Sequence, residues 1–244
     1  MVWCADFLPG PNLDVVTDAH CHLDFPDFDD DRDAMLARAR DAGVSRFLVP
    51  GVQASQWARL EAMAAKYTDW SIAFGLHPYF IDAHEEADLK TLAEQLSHGA
   101  IAVGEIGLDA TVDNFEKQKL IFTQQLAIAA EQQLPVILHH RKTLDTMLAA
   151  VRKAGIQQGM VHAFSGSYEQ AMAWIDQGFY LGVGGVITYQ RAQKTRRTLA
   201  QVPLERLLLE TDSPDMPLHG YQGQRNEPAR VLEVRDTLRA LRQL

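Results

Sequence analysis

The sequence predicts an α/β fold, a single (β/α)8 TIM-like barrel, and three observations carry the prediction. Short β-rich apolar runs alternate with helical patterns along the whole chain, eight of each. The connections between them are short, as parallel strands with crossover helices require. The length of 244 residues matches the ~250 typical of such a barrel. An open doubly wound sheet is the competing architecture, but no Gly-x-Gly-x-x-Gly follows the first strand to support it.

In chain order, the first strand is expected at Val15–His20, followed by a helix at Asp31–Ala42. The pairs Arg46–Val52 with Ser55–Tyr67, Ser71–Leu76 with Ala87–Leu96, and Ile101–Ile106 with Asn114–Gln132 come next. Val136–His139 with Leu144–Lys153, Gly159–Ala163 with Glu169–Asp176, and Phe179–Val183 with Ala192–Ala200 continue the alternation. Arg206–Glu210 is the last strand and Pro228–Arg242 the last helix. The best-formed helix is Asn114–Gln132, where Phe115, Leu120, Phe122, Leu126 and Ala129 recur near helical period behind an Asn114 cap. Gly43, Gly155 and Gly178 each end a helix just before a strand. Residues 1–14, with Pro9, Gly10 and Pro11, read as an irregular lead-in, and residues 15–244 as one domain without a linker or repeat.

Composition narrows the possibilities. The chain is 47% hydrophobic and 23% charged, ordinary for a globular protein, and no apolar run reaches the ~20 residues of a membrane helix. Two cysteines, Cys4 and Cys21, argue against a disulfide framework, and the N-terminus lacks the basic start of a secretory signal. A cytoplasmic location is the expectation. The net charge of −9 lacks the basic footprint of a protein that grips duplex nucleic acid by its phosphates.

Functional residues of a β/α barrel sit at the C-terminal ends of the strands. The first strand ends in His20-Cys21-His22; residues two apart on a strand share a face, so both imidazoles are presented together. Later strands end in Gly75-Leu76-His77-Pro78, Gly104-Glu105-Ile106-Gly107-Leu108-Asp109, His139-His140-Arg141, His162-Ala163-Phe164-Ser165-Gly166 and Glu210-Thr211-Asp212-Ser213-Pro214. Metal-capable side chains thus stand at six of eight strand ends, whereas His84, His98 and His219 fall in helices or loops.

Asp-Ala-His-Cys-His-Leu-Asp, Gly-Glu-Ile-Gly-Leu-Asp, His-Ala-Phe-Ser-Gly and Glu-Thr-Asp-Ser-Pro, in this order, resemble the TatD family of metal-dependent hydrolases from about Val16 to about Glu233. Arg225-Asn226-Glu227-Pro228 looks like that family's closing motif. The resemblance implies that His20, His22 and Asp212 hold one divalent ion, that His139 and His162 hold a second, and that Glu105 bridges them. Imidazole and carboxylate suit Zn, Mn or Mg, and two such ions can share a hydroxide and clamp a phosphodiester. Asp212 would orient that hydroxide and take its proton, while His77 and Arg141 would face phosphate charge. The implied activity is a deoxyribonuclease or exonuclease type of phosphodiesterase acting on a nucleic-acid end, as a monomer or small homo-oligomer. Two alternatives stand beside it: hydrolysis of an amide, lactone or aminoacyl ester, including a D-aminoacyl-tRNA, and a non-catalytic metal-binding protein. Relatives of the family continue with one more helix, which Ala240–Leu244 does not supply.

The remaining candidates divide by parity. His140 points opposite to His139 and reads as a core residue; Glu210 lies deeper than Asp212 and reads as buried and paired. Asp18 reads as an orienting carboxylate, Cys21 as a small apolar filler, and the basic run Arg191–Arg197 as a solvated helix face. Asp24 and Asp109 stand evenly between site and loop capping.

Overall fold

A computed structural model describes residues 5–10 and 12–244; Cys4 and Pro11 lie outside the described residues. Seven parallel strands form, β1 (Phe47–Pro50), β2 (Trp70–Phe74), β3 (Ala102–Asp109), β4 (Val136–Arg141), β5 (Gly159–Val161), β6 (Phe179–Val183) and β7 (Leu207–Leu209), and their order in the sheet is their order in the chain. The helices are α1 (Arg32–Asp41), α2 (Ala54–Lys66), α3 (Glu86–Gln95), α4 (Phe115–Glu131), α5 (Leu144–Ala154), α6 (Tyr168–Asp176), α7 (Gln193–Gln201) and α8 (Val231–Arg242). No helix among the described residues is long and apolar enough to cross a membrane.

The chain resolves into two compact units. One takes the described residues up to Val49 with Ala163–Ala173 and Tyr180–Leu244; the other takes Pro50–His162 with Trp174–Phe179. In the first unit, Phe28, Met35, Leu36, Leu207 and Val234 are fully buried. The segment expected as the first strand makes no regular ladder and keeps a single parallel bridge, Asp18 to Phe47. Its hydrogen bonds are divided between two neighbours instead. Asp18 and Cys21 donate to Arg46 and Leu48 on the β1 side, while Ala19 donates to Leu209 of β7. A segment shared this way satisfies its backbone without building the repeat that defines a strand.

At the surface of the same unit, Arg225 forks onto both oxygens of Asp31 at 2.7 and 2.8 Å and lies over the Phe28 ring. The Arg225 hydrogen bonds outweigh desolvation and hold the Asp31 carboxyl down at about 2. A depressed carboxyl stabilises the fold above its ordinary pKa near 3.8 and loses that contribution as pH falls to about 2. With the Asp31 side chain 34% exposed, screening limits the effect to about 0.5–1 kcal/mol. Asp31→Asn should therefore melt a few degrees below the parent at pH 7, and the two should converge near pH 2. A gap that persists at pH 2 would rule this account out.

The second unit carries β2 to β5, with Trp57, Phe74, Ile106 and Phe122 buried. Glycines let its strands approach. A Cβ on Gly104 would stand 2.6 Å from the Ile137 Cβ, and one on Gly75 would stand 2.6 Å from the Glu105 carbonyl oxygen. β3 runs three residues beyond the expected end, because Gly107, Leu108 and Asp109 stay in register with His139, His140 and Arg141. On α4 the buried stripe is Gln118, Ile121, Phe122, Gln125, Leu126 and Ala129. Leu120, expected inside, is 60% exposed. Phe122, Leu126 and Ala129 lie on the stripe as expected and Phe115 is half-buried, while two glutamines take places that apolar residues would be expected to fill.

Candidate functional site

In the first unit, His20, His22 and Asp212 come together, with potential ligand atoms mutually within 4.8 Å. His20 Nε2 lies 3.6 Å and His22 Nε2 3.4 Å from Asp212 Oδ1. Both rings are buried, and the Asp212 side chain is 16% exposed. Backbone lacing fixes the arrangement: the Asp212 amide donates to the His20 carbonyl, and the His22 amide donates to the Ser213 carbonyl. Asp212 has φ +60°, a left-handed conformation that aspartate tolerates better than most residues. The His22 ring stacks on Phe25 with centroids 4.8 Å apart.

Asp18 serves this group through the backbone. Its oxygens accept from the Thr211 amide at 2.9 Å, the Thr211 hydroxyl at 2.6 Å and the His20 amide at 3.3 Å. Burial pushes its carboxyl up to about 8 against those hydrogen bonds. Glu210 is fully buried, its Oε1 accepting from the Ala163 amide at 2.7 Å. It occupies a cradle left open by Gly182, where a Cβ would come within 2.3 Å of its carboxylate. Asn226 is also fully buried, donating to the carbonyls of Thr211 and Met216 and so bracing the loop that carries Asp212. Only its place in the closing motif pointed to it.

In the second unit, His77, Glu105 and His139 converge. Glu105 Oε1 is 3.3 Å from His77 Nε2 and 3.3 Å from His139 Nδ1. The His139 Nε2 faces Asp109 Oδ2 at 3.3 Å, and the other Asp109 oxygen accepts from the Thr111 amide and hydroxyl. Asp109 therefore orients an imidazole and caps a loop at once. Burial works against a charged His139, but Asp109 and Glu105 outweigh it and raise the pKa of the ring. The same hydrogen bonds overcome desolvation of Asp109 and hold its carboxyl below the usual range.

His77 is differently tied. Its Nδ1 accepts the Tyr79 amide at 3.0 Å, so in the neutral ring the proton sits on Nε2 and points towards Glu105. His84, buried, bonds through Nε2 to the His77 carbonyl at 2.8 Å and anchors the same turn. His162 is buried just beyond β5, with its amide bonded to the Leu138 carbonyl. Arg141 is exposed at the end of β4, His140 is half-buried, and Asp24 and Cys21 are buried.

The donor chemistry suits a divalent cation. Each of the two groups offers two imidazoles and one carboxylate, a set of intermediate to hard ligands. In the second group a carboxylate already orients the far nitrogen of His139, the usual arrangement behind a ligating imidazole.

With this geometry in view, comparison with known proteins is decisive. The family profile described as TatD related DNase matches residues 17–244. This chain belongs to the TatD family. A metal-dependent hydrolase of Escherichia coli K12, YjjV, is 45% identical over 231 residues, covering 92% of this chain and 89% of that protein. A metal-dependent hydrolase of Haemophilus influenzae is 39% identical over 238 residues, 92% of this chain and 91% of its own length. The crystal structure of the YjjV TatD homologue superposes with a TM-score of 0.91 at 44% identity, covering 94% of this chain and 91% of that one. The TatD-family chain described here is accordingly a metal-dependent hydrolase with an α/β fold.

Proposed function

We propose that this TatD-family hydrolase cleaves phosphodiester bonds at an end of DNA or RNA, as a cytoplasmic monomer or small homo-oligomer. The observation that carries the reading is the pair of ligand groups, His20, His22 and Asp212 in one unit and Glu105 with His139 in the other. In this reading each group holds one divalent ion, and His162 completes the second set. Such ions supply Lewis acidity and lower the pKa of water.

The chain's own residues do the rest. Asp212, with a partly exposed carboxylate, receives the proton of the attacking water. His77 acts as a donor: with Nδ1 engaged by Tyr79, its Nε2–H is aimed at an anionic oxygen and serves a phosphate better than a cation. Arg141 offers its fork of donors to the same charge. The net charge of −9 favours a short end held at the site over a long strand gripped along its backbone. The segment Val16–His22, bonded to β1 on one side and β7 on the other, supports reading it as the remaining stave of an eight-stranded barrel.

The test is a substrate panel assayed with Mn²⁺ or Mg²⁺. Single-stranded oligonucleotides should be shortened from an end, and EDTA should abolish the reaction. Turnover confined to lactones, cyclic amides or aminoacyl esters would replace the phosphodiester reading. No metal-stimulated turnover on any member would leave only metal binding.

A further inference from the structure

Neither group above uses the two glutamines buried on α4. We propose that Gln118 and Gln125 are positioning residues, which clasp the backbone at Asp109 and at Leu76 and thereby set the geometry in which His139 and His77 face Glu105. The inference rests on the metal-site reading of that group and adds the parts that hold it in shape.

Gln125 is fully buried, and its amide takes both polar groups of one residue: Oε1 accepts the Leu76 N–H at 2.7 Å, and Nε2 donates to the Leu76 carbonyl at 3.1 Å. Gln118, also buried, does the same for Asp109, at 2.9 and 3.1 Å, and donates further to the carbonyls of Val112 and Asp113. A primary amide carries the donor and acceptor of a peptide group, so each glutamine acts as one added rung of a ladder. Leu76 lies two residues past the end of β2, where the ladder has stopped.

The consequence falls on the site. The Leu76 carbonyl and the His77 amide belong to one peptide plane, and that plane is tied on one edge to Gln125 and on the other to the Val52 carbonyl. The Tyr79 amide then orients the His77 ring. On the other side, Gln118 holds the Asp109 backbone, Thr111 holds one Asp109 oxygen, and the other oxygen meets His139. Positions 118 and 125 are two turns apart, so one stiff helix sets a spacing of about 10 Å between the clasps. A buried amide is costly unless fully bonded, and leucine or methionine would fill the same volume without that cost.

Gln118→Met and Gln125→Met keep volume and remove the side-chain hydrogen bonds, four at 118 and two at 125. Gln132→Met is the control, since Gln132 at the end of the same helix donates only to the Ala93 carbonyl, at 2.8 Å. Mn²⁺ binding is read by calorimetry, and kcat and KM on an oligonucleotide are read with Mn²⁺ saturating. Gln118→Met should bind Mn²⁺ about 10-fold more weakly. Gln125→Met should lose about 10- to 100-fold in kcat with KM within twofold. Gln132→Met should match the parent in all three quantities. Should a methionine variant fail to fold, Gln118→Glu and Gln125→Glu, whose buried carboxyl is neutral, keep an acceptor and a single donor and should show smaller losses of the same kind. If the variants at 118 and 125 differ from Gln132→Met only in melting temperature, the proposal is overturned. The Mn²⁺ arm needs no substrate, so a parent inactive on phosphodiesters sinks the substrate reading while the weaker Mn²⁺ binding still upholds this one.

Discussion

Replacing Glu105 with alanine is expected to lower metal-stimulated hydrolysis by about 10³-fold or more in kcat/KM. Glu105 is 1% exposed and lies 3.3 Å from both His77 and His139, and it is the only carboxylate in that three-residue group. Without it the group keeps its imidazoles but loses its carboxylate, the anionic side chain that would hold a divalent ion beside His139. Glu105→Gln separates charge from shape, since the amide fills the same space. Both variants should bind fewer equivalents of Mn²⁺ than the parent by calorimetry, and both should be inactive. Activity of Glu105→Ala equal to the parent would remove this group from the catalytic site.

Gly107→Ala is expected to destabilise the protein by about 3 kcal/mol and to cost Mn²⁺ binding as well. A Cβ on Gly107 would stand 2.0 Å from the His139 carbonyl oxygen and 2.9 Å from its carbon, and the backbone there has φ +155°. Neither atom is the end of a flexible side chain, so β3 and β4 must part at the Gly107–His139 pair. The strand that moves carries His139. For a chain of this length the loss corresponds to a fall of roughly 6–12 °C in Tm. Gly99→Ala is the comparison, because φ is +90° but nothing lies within 4 Å of the added carbon. It should cost about 1 kcal/mol through strain alone and leave metal binding intact. Equal destabilisation by the two substitutions would show that close approach is not what position 107 requires.

Much of the site was legible because strand ends and strand parity are local properties. His20, His22 and Asp212 were expected from such reasoning together with the family resemblance, and the structure brings their side chains together. His77 was expected to face phosphate; its Nε2 lies 3.3 Å from Glu105, a carboxylate it shares with His139, and its Nδ1 is occupied by the Tyr79 amide. Asp109 stood evenly between two roles and performs both. Gln118 and Gln125 were missed, and the role of Asn226 within its motif was not read, because each acts on backbone atoms, which leave no trace in residue type. For the glutamines the available signal is a polar residue on the same helix face as Phe122, Leu126 and Ala129, a face the expected stripe leaves only at Leu120.

The sequence by itself determined the alternation of strands and helices from Arg46 onward, the order of the ligand-bearing strand ends, and the glycines that end helices. Those follow from periodicity and from residue chemistry, which act over a few positions. Only the tertiary structure decided that Asp18 holds Thr211, 193 residues away, that Asp109 turns the His139 ring, and that a helix glutamine completes the ladder at Leu76. A hydrogen bond has short reach and strict direction, so which nitrogen or carbonyl is engaged depends on segments that folding alone brings together.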